Sequence, residues 1–241
     1  MTEAEWRACT DPDAMLRFLY KTSSARKLRL FACACCRLRW KWLPLEECKA
    51  AVHLAERYAD GLITRQELVR FRNQARWAMH RAPDSRSYAA AAAVQTLSLN
   101  PGTAARRTAE LIRKQRGTQT AVPKAFRGRV LAFSEQAAAK AAWDKASANS
   151  ERKEAAEQAV ILRDIFGNPF RSLTIDSSFI TAKVARLAKV IYDERAFERL
   201  PELAHALKQA GCVEPDILGH CREPQEHFLG CWLVDKLNDK V

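Results

Sequence analysis

The 241-residue sequence predicts an all-α fold, an irregular assembly of about eight to ten helices with no significant sheet. Three observations predict it. Apolar residues recur at i, i+3, i+4 and i+7 along most of the chain, the period of one helix face. Helix-start signals punctuate these stretches at Thr2-Glu3-Ala4-Glu5, Asp11-Pro12 and Thr64-Arg65-Gln66-Glu67. No segment alternates with the period-two pattern of a half-buried strand, and there is no internal repeat.

In chain order, Thr2 and Glu5 form a capping box that opens a short helix through Trp6. Asp11 caps a second helix, with Pro12 at its first position and Met15, Phe18 and Leu19 turned inward. Arg26 to Trp42 is the stretch on which the rest is organised. Wound at about 100° per residue, it puts Leu28, Phe31, Ala32, Cys35, Leu38 and Trp42 on one broad apolar face. Cys33, Cys36 and Trp40 make a second, narrower stripe, while Arg26, Lys27, Arg29, Arg37 and Lys41 gather on the other side. Two apolar stripes imply neighbours on two sides, hence a central helix. Ser23 or Ser24 caps it, and Pro44 lies beyond its end.

Leu45 to Asp60 is the next helix, closed by Gly61, and Thr64 opens another with Leu68, Phe71, Ala75 and Met79 on one face. The alanine tract Ala89–Ala93 has high helix propensity but little side chain to bury. Asn100-Pro101-Gly102 reads as a turn, followed by a helix from Thr103 to Arg116 that Gly117 stops. Thr118–Lys124 is the expected linker. Arg129 to Ile165 is helical in pattern, with a break expected at Ser147-Ala148-Asn149-Ser150. Gly167-Asn168-Pro169 ends it, and Phe170 to Ile175 is the one plausible extended piece. Helices follow at Thr181–Ala196 and Leu200–Ala210, then short pieces through Ile217-Leu218 and Trp232-Leu233-Val234. Dense apolar patterns in 1–80 and 160–241 predict a single domain over 1–241 with those ends as its core. Residues 84–160 would be an inserted helical segment.

The blocks Met1-Thr2-Glu3-Ala4-Glu5-Trp6 and Arg26-Lys27-Leu28-Arg29-Leu30-Phe31-Ala32-Cys33-Ala34-Cys35-Cys36-Arg37 resemble an uncharacterised paralogous family of bacterial helical proteins. Leu162-Arg163-Asp164-Ile165-Phe166-Gly167-Asn168-Pro169-Phe170, Tyr192 to Phe197, His220-Cys221-Arg222 and Gly230-Cys231-Trp232-Leu233-Val234-Asp235 complete the likeness. It covers residues 1–80 and 160–237. The resemblance implies a variable, alanine-rich helical middle and carries no established activity.

Eight cysteines without framework spacing predict reduced thiols and a cytoplasmic protein. The acidic N-terminus has no apolar signal region, and no apolar run approaches the length of a membrane span. Net charge is +12, and residues 61–130 hold 14 of the 40 basic residues against 3 of the 28 acidic ones. Arg106, Arg107, Arg113, Lys114, Arg116, Lys124, Arg127 and Arg129 share one short segment with a single acid, Glu110. Such a segment suits sequence-independent binding of nucleic acid through phosphates, with only Phe126 inside it to stack on a base. It equally suits a solvated arginine-rich face.

Candidate metal ligands are Cys33 and Cys36, spaced C-x-x-C, and Cys212, His220, Cys221, His227 and Cys231 in the tail. Zinc needs four such donors in a tetrahedron. The first pair lies inside a helix and the tail fits no standard finger spacing, so core packing competes with zinc binding at every one of these residues. Cys221 beside His220 is a poor nucleophile–base pair, because adjacent helical side chains diverge. Arg199…His205 and Arg222…His227 match the Arg-x4–6-His spacing of helical ribonucleases, but Pro201 and Pro224 interrupt both. Asp193, Glu194 and Glu198 read as an ion-paired face with Arg195 and Arg199. No glycine-rich phosphate loop, H-E-x-x-H or nucleophile elbow is present. The expectation is a non-catalytic binding or scaffold module for a protein partner, with nucleic-acid binding through 103–129 as the alternative. An enzyme or a zinc-stabilised domain using the Cys and His residues is the third class.

Overall fold

Every start signal in the sequence opens a helix. The computed structural model describes residues 1–20, 22–120, 126, 132–171 and 174–240. Glu5 N donates to the Thr2 hydroxyl at 3.2 Å and Thr2 N to the Glu5 carboxylate at 2.7 Å. Asp11, Ser24, Thr64, Asn100 and Thr181 each accept a first-turn N–H in the same way, satisfying amides that the helix itself leaves unpaired.

The described residues form twelve α-helices and no strand, so the fold is all-α. They are α1 (Glu3–Ala8), α2 (Pro12–Leu19), α3 (Ala25–Leu38), α4 (Glu46–Ala59), α5 (Arg65–Arg81) and α6 (Ser87–Thr96). After these come α7 (Pro101–Thr118), α8 (Phe133–Phe166), α9 (Ala182–Glu194), α10 (Leu200–Gln209), α11 (Pro215–His220) and α12 (Trp232–Leu237). The chain divides into two compact units, Cys9–Val160 and Met1–Ala8 with Ile161–Val241. Residues 84–118 thus lie in the same unit as residues 9–83. No described helix is long and apolar enough to cross a membrane.

The Cys9–Val160 unit is built on α3, which packs against α4, α6 and α7. Phe31, Cys35 and Cys36 are inaccessible, as the two stripes require. Leu38 is half-buried rather than enclosed, because α3 ends there and Trp40–Trp42 continues as a 3-10 turn. Arg37 and Arg39 lie over the rings of Trp40 and Trp42, 4.2 and 5.1 Å from their centroids. Arg29, placed by periodicity on the charged side, is only 3% exposed. Its guanidinium donates to the Thr96 carbonyl at the end of α6 and sits over the Tyr58 ring.

The alanine tract does more than its small side chains suggest. Ala89, Ala90, Ala92 and Ala93 are all buried in α6, which packs against α3, α4, α5 and α7. Residues without bulk let four helices approach one backbone. Gln115 on α7 holds the start of α6, accepting from Ala89 N at 3.0 Å and donating to Ser85 O at 2.7 Å.

Three local expectations fail. Asn100-Pro101-Gly102 is the capped first turn of α7, not a free turn, because Pro101 occupies the position where its missing N–H costs nothing. Gly117 does not stop α7. A Cβ there would lie 2.6 Å from Ser147 Oγ and 2.5 Å from the Glu151 carboxylate, so the glycine marks a close approach to α8. Helix α8 runs unbroken through residues 147–150, with Ser147 buried and Ser150 Oγ accepting from Thr120 Oγ1 at 2.9 Å. Hydroxyls that find partners on a neighbouring segment do not compete with their own backbone. Of the expected linker, residues 121–124 lie outside the described residues, as do 172 and 173 of the expected extended piece.

In the second unit, Trp6 is buried and its indole N–H donates to the Gly167 carbonyl at 3.1 Å. Asn168 donates to Glu3 at 2.8 Å. Gly167, at φ +64°, ends α8, and a Cβ on it would meet the Trp232 ring at 3.0 Å. Helix α9 packs on α10 and α12, and α10 on α11.

Candidate functional site

Four buried side chains of the second unit converge: Asp164 in the last turn of α8, His220 at the end of α11, His227 in the following irregular stretch, and Cys231 at the N-cap of α12. Their donor atoms all lie within 4.8 Å of one another. His227 Nδ1 is 2.6 Å from Asp164 Oδ1, His220 Nε2 is 3.5 Å from the same oxygen, and His220 Nε2 is 3.0 Å from Cys231 Sγ. Asp164 Oδ2 accepts the Phe228 N–H at 3.1 Å, which turns Oδ1 toward the two imidazoles. The His220 ring stands edge-on to His227 and against Trp232, at centroid distances of 4.9 and 5.1 Å.

Burial governs the electrostatics of this cluster. It pulls the His220 imidazolium down to about 4, against the opposing pull of Asp164, and it pushes the Cys231 thiol well above its ordinary value. The groups do not form a nucleophilic triad. In such a triad one ring nitrogen faces the sulfur and the other faces the acid. Here the same nitrogen, His220 Nε2, faces both Cys231 and Asp164. Cys231 is also inaccessible. Four donor-type side chains drawn from four segments, with their donor atoms within 4.8 Å of one another, could hold a metal ion.

Of the tail residues offered as metal ligands, His220, His227 and Cys231 come together, whereas Cys212 and Cys221 are core residues outside the group. Burial pushes the Cys221 thiol up to about 12, and His220 Nε2 points at Cys231 instead. Cys33 and Cys36 are buried within α3, their thiols pushed up by burial, and join no metal-type group among the described residues. Asp164 is the member that sequence reasoning missed. Its signal was present: the acid lies three residues after Ile161, on the apolar stripe of α8, where a buried carboxylate needs a reason.

The basic segment is largely paired within the fold. Arg107 and Lys114 both bond Glu110, at 2.8 and 2.9 Å, and hydrogen bonds from Lys114 and Arg107 hold its carboxyl down at about 2. Arg113 bonds Asp13 at 2.7 Å and Gln158 at 2.9 Å. Arg116 reaches the buried Glu154 at 3.3 Å, beside Arg39 at 2.8 Å. Burial still pushes the Glu154 carboxyl up despite both guanidinium groups. Lys124, Arg127 and Arg129 lie outside the described residues.

Arg106 has no ion-pair partner among the described residues, and neither does Arg17. Both line a cleft of about 540 Å³ between α2, α3 and α7. Leu16, Leu28 and Ala105 also line it, together with Tyr20, which is 61% exposed. The Tyr20 ring lies against Gly102, where a Cβ would come within 2.6 Å of it.

Of the Arg-x4–6-His matches, Arg199 and His205 share an open cleft with Lys183 and Arg186, but the Arg199 guanidinium bonds Glu202 at 2.9 Å. Arg222 is exposed and His227 buried, with no helix joining them. Asp193 bonds Lys189 at 2.7 Å on an exposed face. Compared with known proteins, the chain matches no family model, no curated protein and no solved structure.

Proposed function

We propose that this chain is a non-catalytic helical binding module, and that the cleft between α2, α3 and α7 takes an acidic protein segment anchored by one apolar side chain. One observation carries this reading: Arg17 of α2 and Arg106 of α7 are exposed cations without counter-ions among the described residues, at a cleft also lined by Leu16, Leu28 and Ala105, whereas the two carboxylates that line it, Asp13 and Glu110, are already bonded to Arg113 and to Arg107 and Lys114. A carboxylate on the partner supplies the missing charge at each guanidinium. Leu16, Leu28 and the Tyr20 ring supply apolar contact for the anchor. The pairing of Arg107, Arg113, Lys114 and Arg116 with acids of the same unit leaves fewer of these cations for phosphates, which favours an acidic peptide over nucleic acid.

The test is fluorescence anisotropy with a labelled acidic peptide carrying one tryptophan, and in parallel with duplex DNA. The peptide is expected to bind, and the double variant Arg17→Gln with Arg106→Gln to bind at least about tenfold more weakly, at unchanged thermal stability. Binding of DNA in preference to the peptide would transfer the role to phosphate recognition. Peptide affinity unchanged in the double variant would remove the cleft from consideration.

A further inference from the structure

We propose that Asp164, His220, His227 and Cys231 bind one divalent transition-metal ion, zinc by the chemistry of the donor set, in a closed structural site that holds the second unit together.

Charge balance is the first reason. A thiolate and a carboxylate with two neutral imidazoles carry the two negative charges that a divalent cation neutralises, so the occupied site is neutral overall. Asp164 is a wholly buried carboxylate grouped with two histidines and a thiol and with no described Lys or Arg among its hydrogen-bond or ion-pair partners.

Geometry is the second. In a tetrahedral zinc site with Zn–N near ~2.1 Å and Zn–S near ~2.3 Å, donor atoms stand roughly 3.2–3.7 Å apart. Of the spacings here, 3.5 Å falls in that range, while the hydrogen-bonded 2.6 and 3.0 Å contacts are shorter and would open by less than about 1 Å to admit the ion, with no donor of the group beyond 4.8 Å from another. The convergence of Cys231 Sγ and Asp164 Oδ1 on one nitrogen of His220 is what ligands around a shared centre produce. Phe228 N–H, held by Asp164 Oδ2, is the kind of outer contact that fixes a ligating carboxylate.

Donor type and burial select the metal and its role. One sulfur and two imidazoles favour zinc over magnesium or calcium, which take oxygen ligands. Four protein donors, each less than a tenth exposed, fill a tetrahedron and leave no position for substrate, so the ion is structural. It would tie the last turn of α8 to α11 and α12 across residues 164–231.

Cobalt is the probe, used on the full chain stripped of metal under reducing conditions. One equivalent of Co2+ should bind, with intense visible bands of a tetrahedral site and a near-ultraviolet band from a single thiolate. Excess Zn2+ should erase both, and Zn2+ should raise the melting temperature in proportion to the logarithm of its concentration. Cys231→Ser should lose the thiolate band, and Asp164→Asn should weaken binding by at least about tenfold. Because the wild-type spectrum is read directly, a variant that fails to fold does not remove the test. The weak spectrum of hydrated Co2+, or a thiolate band that survives in Cys231→Ser, would overturn the proposal.

Discussion

The Arg29 guanidinium donates to the main-chain carbonyl of Thr96 at 2.6 Å, inside the Cys9–Val160 unit. Thr96 is the last residue of α6, so a buried cation of α3 closes the negative end of a second helix. Arg29→Leu keeps the bulk and removes the donor, leaving that carbonyl unpaired in the core. The expected loss is about 2–3 kcal/mol of unfolding free energy in urea. A loss below about 0.5 kcal/mol would mean that the carbonyl finds another donor.

Phe31 is fully inaccessible at the centre of α3. Truncation to alanine should cost about 3–5 kcal/mol, the transfer term plus an unfilled cavity. Leu38, half-buried at the frayed end of the same helix, should cost clearly less when truncated. Equal costs at the two positions would contradict the burial described above.

Glu110 has its carboxyl lowered from 4.5 to about 2 by hydrogen bonds from Lys114 and Arg107. A depressed folded-state value means that the folded protein binds its proton less readily than the unfolded chain. The contribution is therefore complete above pH 4.5 and is lost as pH falls toward 2. At this partly exposed rim screening limits it to about 0.5–1 kcal/mol. Glu110→Gln should thus be less stable than wild type at pH 7 by that amount, with the gap closing in acid. A gap that widened on acidification would reverse the sign.

Seven of the eight cysteines are buried and only Cys9 is half-buried. A disulfide-exchange reagent should label one thiol quickly in the native protein and all eight after denaturation. Burial, which raises the Cys33, Cys35 and Cys36 thiols and shields all seven from the reagent, is the cause. Rapid native labelling at Cys221 would instead point to an accessible reactive thiol.

Sequence alone determined the helix starts and the main core stripe. Thr2, Asp11, Thr64 and Thr181 cap helices because the cap is a bond across three residues or fewer, complete within the local chain. Phe31 and Cys35 are buried because an apolar face of that width has no other stable destination. Tertiary structure decided the rest, since it depended on partners remote in the chain. Arg29 is buried, against its periodicity, because α6 happens to end beside it. Gly117 lies within α7 where Ser147 and Glu151 of α8 leave no room for a Cβ, so its role is close approach and not helix termination. Asp164 joins His220, His227 and Cys231 only through the packing of α8 with the tail, across a separation of more than fifty residues that no local spacing encodes.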